Sequence, residues 1–85
     1  MTTTQINIVL CAILETLDES SDGAPETILY LAAQQHAPDV DWQQIRYVLV
    51  SSRLVTESGN VLAITDRGRA VAKMSRDFRA KAARS

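Results

Sequence analysis

Leu54-Val55-Thr56-Glu57-Ser58-Gly59-Asn60-Val61-Leu62-Ala63-Ile64-Thr65-Asp66-Arg67-Gly68-Arg69 is the stretch on which the reading of this 85-residue chain turns. Two short β-prone runs, residues 54–56 and 61–64, enclose Glu57-Ser58-Gly59-Asn60. Gly59 and Asn60 tolerate the positive φ that a tight hairpin needs. Thr65 or Asp66 then offers an N-cap to a following helix. One hairpin is too small to persist alone in water, so it must pack on helices.

Three helices are predicted upstream of it. In the first, over residues 4–17, Ile6, Val9, Leu10, Ile13 and Leu17 share a stripe, with Thr3 or Thr4 as cap. Residues 18–23, Asp-Glu-Ser-Ser-Asp-Gly, form a polar turn. The second helix begins near Ala24-Pro25-Glu26, because proline suits a first turn and Glu26 faces the positive end of the helix dipole. Ile28, Leu31, Ala32 and Gln35 fall on one side of it, and it ends before Pro38. The third helix is capped by Asp41, with Gln44 completing a capping box and Val40 and Ile45 at the staple positions. Ile45, Val48, Leu49 and Ser52 form its inward stripe. Downstream of the hairpin, Val71, Met74, Phe78 and Ala82 recur as a core-facing stripe of a last helix. Arg69, Lys73, Arg76 and Arg84 oppose them. The expected domain is therefore residues 1–78, followed by a basic, frayed tail over 79–85.

Eighty-five residues make one core, and a chain this short is marginal enough that a partner subunit would help it. An apolar fraction of 46% argues against disorder. The lone Cys11 excludes an intrachain disulfide and a Cys-rich zinc site, which fits a reducing, cytoplasmic compartment. The longest apolar run, residues 8–14, is far too short to span a bilayer, and the uncharged start Met1-Thr2-Thr3-Thr4-Gln5 is not that of a secretory signal. The net charge of −1 hides an asymmetry. Residues 1–66 hold nine acids against two bases, and residues 67–85 hold seven bases against Asp77. Only the latter region suits a polyanion.

The order helix, helix, helix, hairpin, helix resembles the winged helix-turn-helix superfamily. The resemblance rests on Leu54-Val55, then Gly59, then Ile64-Thr65-Asp66-Arg67-Gly68-Arg69, and extends over roughly residues 6–78. In that motif Thr65 caps the helix and Gly68 lets its backbone press on the wing. Three features depart from the pattern: Arg53 stands where glycine usually precedes the apolar pair, the wing carries only Glu57, and the connection from His36 to Asp41 is long. The resemblance implies an α+β, mostly helical fold, with a three-helix core, a two-stranded β wing and a C-terminal helix. It also implies that the outer face of the third helix enters the major groove of double-stranded DNA.

That face offers Gln43, Gln44, Arg46 and Tyr47 for base readout, since Gln pairs with adenine and Arg with guanine. Ser51, Arg53, Arg67 and Arg69 are the candidate phosphate contacts. An ordinary solvated helix face would read the same way, and the bases of the last helix would equally serve solubility. On the first helix Ile8, Cys11 and Ala12 form a second apolar side, suited to a homodimer interface or to cover by the last helix. Trp42 suits a core edge better than a stacking site, His36 a surface turn, and Cys11 a packing role. No nucleophile–base pair, phosphate loop or metal-ligand spacing is present, so no catalysis, cofactor or metal is expected. The function expected is a DNA-binding regulator of transcription or of a mobile element. The alternative is a protein-interaction module that does not bind DNA, favoured by the acidic wing and a pI of 5.7.

Overall fold

In the computed structural model, which describes residues 2–20 and 22–84 and omits the side chains of 83 and 84, Thr2 caps the first helix. Its hydroxyl accepts from the Gln5 backbone at 3.1 Å, and Gln5 Oε1 accepts from the Thr2 N–H at 2.9 Å. Thr3 and Thr4, the expected caps, lie inside the helix because only Thr2 has a glutamine three residues on. Helix α1 (Thr3–Asp18) buries Val9, Ile13, Leu14 and Leu17.

Ala24 and Pro25 were expected to begin the second helix and instead form a short strand, β1 (Ala24–Pro25). Pro25 is the extended N-cap of α2 (Glu26–His36), and the Glu26 N–H donates to the Asn60 carbonyl at 2.7 Å. The helix buries Leu29 and Ala33. Ile28 and Leu31, expected on the inner side, are more than half exposed. Leu29–Ala33 and Ile28–Ala32 are equally good i, i+4 pairs, so spacing alone cannot choose between them. The strand at the helix entry fixes the rotation.

Asp41 caps α3 (Trp42–Ser51), accepting from the Gln44 N–H at 3.3 Å, with Val40 and Ile45 buried on either side. Trp42 is buried and meets the edge of Tyr30, ring centroids 5.9 Å apart. Ser52, read as inward, is the exposed C-cap. Beyond it Leu54 N donates to Leu49 O at 3.0 Å and Arg53 N to Val50 O at 3.1 Å, the paired bonds of a Schellman motif. The residue that such a motif holds in the left-handed region is Arg53, at φ 59°.

Strands β2 (Val55–Ser58) and β3 (Val61–Ile64) pair antiparallel with Ser58 opposite Val61, so Gly59 and Asn60 alone make the turn. Gly59 has φ +60° and Asn60 does not share it, the pattern of a type II′ turn. The sheet has three strands, not two, in the order β1-β3-β2, with Ala24 opposite Leu62. Leu62 is the sheet's fully buried residue and faces the helices.

Thr65 accepts from Gly68 N at 3.1 Å as the cap of α4 (Asp66–Arg84). Its hydroxyl donates toward the Arg53 and Leu54 carbonyls at 2.6 and 3.0 Å. Gly68 lies against the Leu54 carbonyl so closely that no Cβ fits. This contact turns Gly68 and Ala72 inward. Met74 and Phe78, expected in the core, are consequently 68% and 74% exposed, and Ala82 is exposed too. Arg76, expected on the solvent side, instead faces α1. The helix remains continuous past Phe78 to Arg84. The Arg84 side chain lies outside the described residues.

The architecture is α+β and mostly helical, with four helices and one antiparallel sheet around a single core among the described residues. Among the described residues no helix is long and apolar enough to cross a membrane.

Candidate nucleic-acid interface

With Ile45 and Leu49 buried, the opposite side of α3 must face solvent. Gln43, Tyr47 and Val50, spaced i, i+4, i+7, are all exposed there, and Gln44 and Ser51 flank them. Tyr47 is 72% exposed. The Ser51 hydroxyl makes only a long 3.4 Å contact with the Val48 carbonyl.

Arg46 occupies the border between this face and the sheet. Its Nε lies 3.3 Å from Glu26 Oε1, and its Nη2 pairs with Glu57 Oε2. Glu26 Oε1 also accepts from Trp42 Nε1 at 2.6 Å. The string Trp42–Glu26–Arg46–Glu57 thus ties the first turns of α2 and α3 to strand β2. One guanidinium serves two carboxylates, so this locality is net negative. The Arg46 side chain is 31% exposed, and its Nε is enclosed without a hydrogen-bond partner.

Arg53, Arg67 and Arg69 are exposed, and their side chains make no ion pair or hydrogen bond among the described residues. The bond from Thr65 to the Arg53 carbonyl sets Arg53 beside the first turn of α4, which carries the other two. Unpaired positive charge therefore stands at the C-terminal end of α3, and Lys73 and Lys81 farther along α4 are exposed as well.

The remaining bases divide differently from their sequence pattern. Arg76 Nη1 lies 2.6 Å from Asp18 Oδ2, and its Nη2 donates to the Glu15 carbonyl at 3.2 Å. Arg79 pairs with Glu15 Oε1. Helix α1 has no basic residue in its last turn, and Arg76 supplies from α4 the cation that the negative end of that helix favours. Two of the seven bases in residues 67–85 are thus paired with acids of α1.

Ile8 is 51% exposed, with Cys11 and Ala12 half-buried beside it. They floor an open groove of about 600 Å³ between α1, α2 and α4, walled by Ala32 and Phe78. Helix α4 packs on α1 and leaves this side uncovered. His36 lies on the rim, exposed. Among the described residues no group of His, Cys, Asp and Glu is arranged to hold a metal.

Sequence reading named the outer face of α3 and Arg53, Arg67 and Arg69, which the structure leaves exposed. It missed the Glu26–Arg46–Glu57 link and the Arg76 clasp, whose partners are 11 to 61 residues apart and carry no local signal. Compared with known proteins, the chain matches no family model, no curated protein sequence and no solved structure.

Proposed function

We propose that this chain is a winged-helix domain that binds double-stranded DNA and regulates transcription or a mobile element. In this reading α3 lies in the major groove and the β2–β3 hairpin is the wing. The observation that carries it is the exposed Gln43–Tyr47–Val50 face ending at three unpaired arginines. Gln43, Gln44 and Tyr47 face the bases, while Ser51, Arg53, Arg67 and Arg69 hold phosphates. The working form is a cytoplasmic homodimer, with Ile8, Cys11 and Ala12 at the subunit contact.

Fluorescence anisotropy of a labelled duplex, titrated at several salt concentrations, tests the reading. Affinity should fall steeply with salt, and Arg67→Ala should lower the logarithmic slope by about 1. Absence of binding at low salt, or an unchanged slope in Arg67→Ala, would reject it.

A second reading, a protein-interaction module without DNA, is favoured by one observation. Arg46, Arg76 and Arg79 are engaged by carboxylates, while Ile8, Met74 and Phe78 are exposed. Retention of a protein partner that Ile8→Asp abolishes, with no DNA binding, would select it.

A further inference from the structure

Resting on the reading that α3 enters the major groove, we infer that this helix selects A·T-containing sites and carries no working guanine reader. Guanine presents O6 and N7, two acceptors most often read by a bidentate Arg or by a Lys. The only such residue within α3 is Arg46. Its guanidinium is spanned by Glu26 and Glu57, on two different elements. Turning it toward a base would leave two carboxylates uncompensated beside the DNA backbone, and would strip Glu26 of one of its two partners. Arg46 is therefore a positioning residue that holds α3 against the sheet.

The groups left free point to the other base pair. The Gln43 carboxamide joins an NH2 donor to a carbonyl acceptor, the combination that pairs with N7 and N6–H of adenine. Val50 lies two turns along the same face and offers an apolar surface to the C5-methyl of thymine. Gln44 on the flank repeats the adenine chemistry. Seven residues of helix rise about 10 Å, the height of about three base pairs, so one copy reads a short core. Arg53, Arg67 and Arg69 add affinity without sequence information.

A pool of duplexes randomised over a short central window, selected on the full chain at low salt, tests this. The enriched core should be A·T, and replacing it by G·C should weaken binding at least about fivefold. Gln43→Ala should weaken that preference with an unchanged salt slope, whereas Arg46→Gln should keep the preference. A G·C core, equal binding of both duplexes, or a preference lost in Arg46→Gln overturns the inference and leaves DNA binding standing. Retention of no duplex at all overturns the DNA-binding reading with it. If Arg46→Gln does not fold, the exposed Gln43→Ala still decides the matter.

Discussion

The Thr65 hydroxyl donates at 2.6 Å to the carbonyl of Arg53, the one described non-glycine residue with positive φ. Holding an L-residue in the left-handed region costs about 1–2 kcal/mol. Glycine there avoids that cost but loses about 0.5–1 kcal/mol to the greater freedom of the unfolded chain. The balance favours glycine. Arg53→Gly should raise stability by about 0.5–1 kcal/mol, read as a higher urea midpoint. A lowered midpoint would show that the arginine side chain has a stabilising role of its own.

Gly68 reverses the usual rule for helices. Alanine normally exceeds glycine by about 1 kcal/mol in a helix interior. Here an added methyl would strike the Leu54 carbonyl and lie 2.7 Å from Ile64 Cγ1. Gly68→Ala should cost about 2–3 kcal/mol, seen as a depressed thermal midpoint. A neutral or stabilising result would mean that α4 can shift away from the hairpin.

Arg76 joins α4 to the end of α1, and its side chain is 37% exposed, so its ion pairs are partly screened. Arg76→Ala should destabilise by about 1 kcal/mol at low salt. The deficit should shrink in molar salt, where screening acts over about 3 Å. Thermal melts at two ionic strengths separate the cases. A deficit independent of salt would assign the effect to packing of the arginine stem.

The α1 groove predicts behaviour in solution. Sedimentation should show a dimer for the native chain and a monomer of unchanged helicity for Ile8→Asp and Phe78→Asp. Both residues are exposed in the single chain, so neither change disturbs its core. A native chain that sediments as a monomer at every concentration would end the homodimer proposal.

Much of the local structure was legible in the residues themselves. Asp41 with Gln44 marked one helix start, Gly59-Asn60 the turn, and Thr65 with Gly68 the entry of α4. Arg53 drew notice as a residue in a glycine position, and its φ explains why. The exposed face of α3 followed from its buried stripe. The electrostatic state of Arg46 did not follow, because Glu26 and Glu57 reach it only after the sheet and α2 are assembled.

The sequence alone determined the start of α3, the hairpin turn and the entry of α4, since caps and turn residues act on backbone groups within a few positions. Only the tertiary structure decided which side of α2 and α4 faces inward, that Ala24–Pro25 joins the sheet, and which arginines stay free. A helix with apolar residues on several sides has more than one acceptable rotation. The choice falls to contacts between distant segments: the β1–β3 pairing for α2, and the Gly68–Leu54 contact for α4.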